Sequence, residues 1–358
     1  MAISFIMPTR NRHQVLAETL TRIGAINASE MIGCCELLIV DNASDTPVET
    51  PAHLDNGIPI KLLRVDVNMN TAARNIAAIE AEGDWLVMLD DDSSPLSDSN
   101  WRVLDQFDEE IGAVGGEIFL PAGDHEAGGL PEVFVGCGCA IRKELFLELS
   151  GYDAAFGYYA EEYEFCAGLI QSGYRVAHTR SIRFLHRKSA VARDFNEIIR
   201  RLVRNNAWVM QRYAPDAVLS EELESLLNRY HMIARKENAI AGYERGRKEI
   251  EQTLHEQVRT PLYPELWDRF TGRAAARNAL RAAFASRPVP VQVVGSAQAK
   301  GRGIIESELA ELGCDIVDQG AESIVIGTLS PGPMLDLLAD FPDAVVPWAF
   351  EEPVPTHP

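Results

Sequence analysis

The feature that most constrains this 358-residue chain is an alternation of short apolar runs with segments of helical spacing, most runs ending on a polar cluster. Ile3–Met7 reads as a strand stopped by Pro8 and followed by Thr9, Arg10, Asn11 and Arg12. Glu36–Val40 reads as a second strand, ending on Asp41 and Asn42, and Ile60–Val65 as a third. Asp84–Leu89 is a fourth, running into Asp90, Asp91 and Asp92. Between them Val15, Leu16, Leu20 and Ile23 repeat at helical spacing within 13–26, and Thr71–Ala81 is an alanine-rich helix. Nearly all-apolar strands alternating with helices predict a parallel α/β sheet with right-handed crossovers. Ligands of such sheets sit at the carboxyl ends of the strands, which is where the polar clusters fall.

Three units are expected: an α/β unit over 1–195, a helical region over 196–287, and a small α/β unit over 288–358. The helical region carries two apolar stripes. One joins Ile198, Leu202 and Val209 with Ile199, Val203 and Met210; the other runs through Leu219, Leu223, Leu226, Leu227 and Tyr230. Beyond Arg287-Pro-Val-Pro290 comes a β-α-β-α-β pattern: Val291–Gly295, Ile304–Leu312, Ile324–Gly327, Met334–Ala339 and Ala344–Val346. This C-terminal unit is Rossmann-like in pattern only. Its first turn, Gly295 to Gly303, is neither GxGxxG nor a Walker loop, so a packing or partner-binding role is favoured over a second nucleotide site. A second copy of the chain or another protein docking there stays open. The tail from Glu351 reads as loose.

Lys and Arg number 33 against 53 Asp and Glu, a net charge of −20, which argues against a nucleic-acid partner. A local exception is 178–204, basic through eight Lys and Arg, which suits either a solvated helix face or a phosphorylated ligand. No apolar run reaches the ~20 residues of a membrane span. The N-terminus lacks a basic segment ahead of its apolar stretch, so no signal peptide and a cytoplasmic location are expected. Six cysteines are too sparse for a disulfide scaffold, and Cys137-x-Cys139 reads as a strand of small residues rather than a zinc knuckle.

Four segments carry chemistry, and each also has a purely structural reading. Three consecutive carboxylates at a strand end suit a hard divalent ion, or an acidic loop ahead of Trp101. Arg74 and Asn75 open a helix and offer a cation and amide donors to an anionic or heterocyclic ligand, or simply form a first turn. Glu161 and Glu162 begin a helix, where a carboxylate serves as a general base or only complements the dipole. His186 stands at a strand end, where a lone histidine is more often structural. The loop 120–132 reads as mobile and exposed, the kind from which acceptor pockets are built.

Order and spacing sharpen this. The pieces SFIMPTRNR, LLIVDNASDT, NMNTAARN, WLVMLDDDSSP and GYDAAFGYYAEEYEFCAGLIQSGYRV, followed by FLHRKS, stand in sequence across residues 1–190. They resemble the inverting family-2 glycosyltransferases of the GT-A fold. The resemblance implies a nucleotide-diphospho-sugar transferase domain followed by the helical segment and the small α/β unit. It implies that Thr9 and Arg12 line a nucleotide pocket, that Asp41 accepts from a uracil or thymine base, and that Arg74, Asp90 and Asp91 serve the nucleotide or donor sugar. Asp92, in the family's DxD-type segment, would bind Mg²⁺ or Mn²⁺, with His186 completing the shell. Arg187, Lys188 and Arg193 would steady the diphosphate. Glu162 would deprotonate the acceptor hydroxyl, with Glu161 as the alternative base. The implied reaction moves a sugar from a UDP- or dTDP-linked donor to a glycan or glycoconjugate acceptor, in bacterial polysaccharide biosynthesis, with inversion. Two departures stand out: Glu162 replaces the usual Asp, and Thr71 stands near a position usually held by glycine. A catalytically silent nucleotide-sugar or glycan binding scaffold is the alternative from another class. A nucleotidyltransferase is a second enzyme reading, but Pro8-Thr-Arg-Asn11 does not resemble the phosphate loop it would need.

Overall fold

The computed structural model describes residues 2–31, 33–188 and 194–352. The chain begins β1 (Ile3–Thr9), α1 (His13–Gly24), β2 (Cys34–Asn42), β3 (Ile60–Val65), α2 (Ala73–Glu80), β4 (Trp85–Met88). It continues β5 (Ser93–Pro95), β6 (Ile111–Phe119), β7 (Cys139–Arg142), α3 (Lys143–Glu148), α4 (Glu161–Gln171), β8 (Arg175–His186). These strands form one eight-stranded sheet in the order β3-β2-β1-β4-β7-β6-β8-β5.

The continuous apolar runs are explained by burial on both faces. Ile6, Leu38, Val40, Leu86 and Met88 point to the α2 side, against Ala73, Ala77 and Ala78. Their neighbours Phe5, Met7, Leu37, Ile39 and Val87 point to the α1 side, against Leu16, Leu20 and Ile23. Successive side chains of a strand alternate faces, so a strand covered twice has no polar positions left. Pro8 does not stop β1. The strand runs to Thr9, because β4 pairs with β1 only as far as Ile6 and leaves no ladder partner on that side for the missing N–H to fail. The sheet is mixed rather than parallel: β7 runs antiparallel to both β4 and β6, and β5 antiparallel to β8.

The helical region comprises α5 (Phe195–Tyr213), α6 (Leu219–Lys236), α7 (Ile240–Thr253), α8 (Pro264–Thr271) and α9 (Arg273–Phe284). α5 and α7 cross closely because Gly242 and Gly246 lie on the α5 backbone; a Cβ at Gly242 would stand 2.1 Å from the Asn196 carbonyl oxygen. The first stripe splits in two. Ile199 and Val203 pack into a core with Tyr230 and Tyr243, whereas Ile198 and Leu202 face a cavity.

The C-terminal unit comprises β9 (Val291–Val294), α10 (Arg302–Glu311), β10 (Ser323–Ile326) and α11 (Pro331–Asp340). β9 and β10 pair in parallel, and the expected third strand is reduced to a single bridge, Val325 to Val345. One apolar core runs from the main sheet into this unit, joining Leu130, Val133 and Phe134 to Leu329, Met334 and Trp348. That packing confines the exposed reading of 120–132 to residues 121–124 and Ala127; the rest of the loop is covered. Ser330 Oγ donates to the Gly128 carbonyl at 2.6 Å, His125 Nδ1 lies 2.6 Å from Asp336 Oδ1, and Gly332 sits so close to the Glu126 carbonyl that a side chain would collide. The tail is held at its start as well: Glu351 pairs with Arg175, and Glu352 accepts from Thr179, the Arg180 amide and Ser181. Residues 353–358 lie outside the described part. No helix among the described residues is long and apolar enough to cross a membrane.

Candidate active site

A cavity of about 570 Å³ opens at the carboxyl ends of β1 and β4, roofed by α4, α5 and the C-terminal unit. Ten residues singled out by sequence line it: Thr9, Arg12, Arg74, Asp90, Asp91, Asp92, Glu161, Glu162, His186 and Lys188.

Register brings the first group together. β4 pairs with β7 so that Met88 faces Cys139; carried two residues further, the same register sets Asp90 beside Cys137. β5 pairs with β8 so that Ser93 faces His186, which puts the imidazole next to Asp92. His186 Nε2 lies 3.3 Å from Asp92 Oδ1, and its Nδ1 lies 2.7 Å from Glu126 Oε2. Arg12 bridges Asp91 and Asp92, donating to Asp92 Oδ2 at 2.8 Å, and Thr9 Oγ1 donates to Asp91 at 2.7 Å. Arg74 donates to Asp90 Oδ1 at 2.5 Å and to the Leu89 carbonyl at 3.0 Å. Lys188 reaches Glu126 at 2.8 Å.

The electrostatics follow from crowding in a poorly solvated corner. Burial pushes Asp91 up to about 6, despite Arg12 and Thr9. Burial opposes charge on Asp92 too, but hydrogen bonds from His186 and Arg12 outweigh it and hold that carboxyl well below the usual range. Burial likewise disfavours an imidazolium at His186, yet Asp92, Cys137 and Glu126 raise it to about 12. Burial lifts the Cys137 thiol to about 11.

Asp90, Cys137 and His186 place one ligand atom each within 4.8 Å of one another. The donor set of Asp90 and Asp92 carboxylate oxygens with one nitrogen of His186 fits a hard divalent cation, whose charge would displace the imidazole proton. A carboxylate on the far nitrogen of a ligating histidine is the usual support for such a ring, and Glu126 stands there. Glu126, 8% exposed, had no local sequence signal; it is identified only by where loop 120–132 folds.

Across the cavity, α4 begins with Glu161 and Glu162. The chain enters it through two non-glycine residues in the left-handed region, Tyr159 (φ 73°) and Ala160 (φ 66°), an entry that costs energy unless something holds it. Asn205 holds it. This fully buried α5 residue directs its amide at the carbonyls of Phe156, Tyr158 and Tyr159, at 2.9, 2.9 and 2.6 Å. Thr71, the departure from the family pattern, donates to the Gly157 carbonyl at 2.7 Å and anchors the same loop. Burial raises both carboxyls, Glu161 the further; Glu161 Oε2 has no hydrogen-bond partner among the described residues. Glu162 is less enclosed and lies against Gly136.

Two expected residues are not brought to the cavity. Asp41 turns inward: its oxygens accept from the Ser44 amide at 3.0 Å, the Val48 amide at 3.0 Å and Arg64 at 3.1 Å, so it holds the loop after β2, and Asn42 lines the cavity instead. Arg187 turns onto α1, where it meets Glu18 at 2.6 Å and the Val15 carbonyl at 3.0 Å. Arg193 lies outside the described residues.

Residues 4–149 match the family described as Glycosyl transferase family 2. The O-antigen biosynthesis protein RfbC of Myxococcus xanthus is 28% identical over 229 residues, covering 53% of this chain and 18% of that protein. An uncharacterized glycosyltransferase of Haemophilus influenzae is 26% identical over 200 residues, covering 47% of this chain and 62% of its own length. The chain thus spans less than two thirds of these curated relatives. Among solved structures, GalNAc-T7 with UDP, GalNAc and Mn²⁺ aligns with TM-score 0.48 and 14% identity, over 72% of this chain and 57% of that one. The mannosyltransferase PcManGT of Pyrobaculum calidifontis with GDP-Man and Mn²⁺ aligns with TM-score 0.46 and 17% identity, over 87% and 85%. Through residues 4–149, this chain is similar to glycosyl transferase family 2.

Proposed function

We propose that the protein transfers a sugar from a nucleoside-diphosphate donor to an acceptor hydroxyl, by one displacement that inverts the anomeric centre. The observation that carries this reading is a single cavity with a carboxylate–imidazole group on one wall and a raised carboxyl pair on the other. A divalent cation held by Asp90, Asp92 and His186 would neutralise charge on the leaving diphosphate. Arg12 and Lys188 add fixed positive charge beside it. Glu126 keeps Nδ1 of His186 occupied so that Nε2 faces the carboxylates. Glu162 takes the acceptor proton as the acceptor oxygen bonds to the anomeric carbon and the bond to phosphate breaks, its electron pair leaving with the diphosphate. Glu161, buried further and raised further, holds its proton more firmly and is the less available base.

The first test is a thermal-shift panel of nucleotide-sugars with and without Mn²⁺, starting with UDP- and dTDP-linked donors. Ligands that bind only the folded state raise the melting temperature. The donor that does so should be turned over by the wild type, whereas Glu162→Gln should bind it and transfer at least about 10²-fold more slowly. Binding without turnover by the wild type, across a panel of acceptors, would instead favour a silent binding module.

A further inference from the structure

The cavity has a second set of charges, away from the aspartate trio. Lys300, in the segment joining β9 to α10, lines it from the C-terminal unit. Its ammonium donates to the Tyr163 hydroxyl and lies 4.8 Å above that ring. Its backbone is fixed, because the Lys300 carbonyl accepts from the Leu329 amide at 2.9 Å. Arg229 of α6 stands behind, its guanidinium 5.1 Å over Tyr230, and its buried Nε has no hydrogen-bond partner among the described residues.

Neither cation has an ion pair among the described residues. The contrast with their surroundings is sharp. Arg200 and Arg204 pair with Glu249, Arg212 with Glu164 and Asp153, Arg259 with Asp216, and Arg269 with Glu132. In a chain with 53 acidic residues against 33 basic, pairing is cheap, yet neither of these cations is neutralised, and Arg229 is near enough for its field to reach Lys300. Enclosure and the field of Arg229 lower the Lys300 ammonium to about 7; the carboxylate acting against this is Glu162, not the aspartates. The aspartates have their own cations in Arg12, Arg74 and His186. Two like charges brought together in a half-buried wall are unfavourable unless an anion joins them. The cavity that Lys300 lines has aromatic and aliphatic lining too, through Tyr158, Phe195, Ile198 and Leu202, a surface suited to the apolar face of a sugar ring.

We propose that Lys300, with Arg229 behind it, forms an anion subsite on the acceptor side of the cavity, so that the acceptor is a glycan carrying a phosphate or carboxylate group near the hydroxyl that Glu162 deprotonates. The inference rests on the glycosyl-transfer reading for its name, acceptor, but not for its geometry. It also gives the C-terminal unit a direct part in substrate choice.

The test is calorimetric titration of the full chain in EDTA, so that no cation bridges a phosphate to the aspartates. The probes are glucose 1-phosphate, glucuronate and neutral methyl glucoside. One or both anionic probes should bind, and the neutral glycoside should bind at least about tenfold more weakly. Lys300→Met and Arg229→Met should each weaken the anionic probe by about tenfold or more, while Lys300→Arg keeps it. Which anion wins separates a phosphorylated from a uronic-acid acceptor. Equal binding of charged and neutral probes, or wild-type affinity in both Met variants, overturns the subsite. UDP with Mn²⁺ is titrated into the same preparations. If UDP binds and the anions do not discriminate, the subsite alone falls; if UDP fails to bind, the donor reading falls whatever the anions do. A Met variant that no longer binds UDP is scored as misfolded, and Lys300→Gln replaces it in the same comparison.

Discussion

Replacing Asn205 with alanine tests whether the entry to α4 is held under strain. The side chain is fully buried, and its two N–H groups serve three carbonyls of the segment 156–159. Losing them leaves at least two carbonyls short of a donor. At roughly 1–3 kcal/mol for each unsatisfied buried group the loss would reach several kcal/mol, and partial access of Tyr158 and Tyr159 to solvent reduces it to about 2–3 kcal/mol. For a chain of this size that corresponds to a fall of roughly 2–4 °C in melting temperature. The catalytic effect should be larger. Tyr159 and Ala160 occupy the left-handed region only while the loop is clamped, and release would let the start of α4 relax with Glu161 and Glu162 on it. A displacement of about 1 Å at a reacting group costs on the order of 10²-fold. The assay pairs thermal melting with steady-state transfer, and the expected pattern is a small fall in stability, a large fall in kcat, and near-normal binding of UDP with Mn²⁺. A variant that melts a few degrees lower yet keeps wild-type kcat would show that the clamp does not position the carboxylates and would refute the reasoning.

Two further outcomes are expected. Burial holds Glu161 protonated well above its ordinary value, so the folded protein loses stability as pH rises from the ordinary carboxyl range toward that raised value. Glu161→Gln should therefore raise the melting temperature near neutral pH, read by thermal melting across pH; an unchanged melting temperature would contradict a buried carboxyl whose ionisation folding opposes. Glu126→Gln keeps the shape but weakens the hold on His186 Nδ1, and should cut Mn²⁺ affinity about 10–100-fold, read by Mn²⁺ titration in the presence of UDP. Unaltered affinity would remove Glu126 from the support of the cation.

What the sequence disclosed is what local chemistry can disclose. β3 begins and ends at Ile60 and Val65 as expected, because an apolar run bounded by loops needs no distant partner to be recognised. The clusters at the ends of β1 and β4 fall at one cavity because parallel strands align their carboxyl ends. The mixed order of the sheet was not legible, since the antiparallel insertion of β7 depends on pairing rather than composition. Asp41 shows the limit of motif transfer: the aspartate stands where the pattern predicts, but the Ser44 and Val48 amides and Arg64 use its oxygens. Glu126, Asn205 and Lys300 escaped notice for one reason. Each acts on partners 46 to 137 residues away, and nothing beside it in the chain announces the contact.

Calorimetric titration of UDP into the wild-type chain, with Mn²⁺ and then with EDTA, and into Asp92→Asn with Mn²⁺, bears most directly on the whole account. The structure predicts binding that requires the cation and falls by at least about tenfold when the Asp92 carboxylate is made neutral. Equal affinity in EDTA, or wild-type affinity in Asp92→Asn, would contradict a cation held between these side chains and a diphosphate.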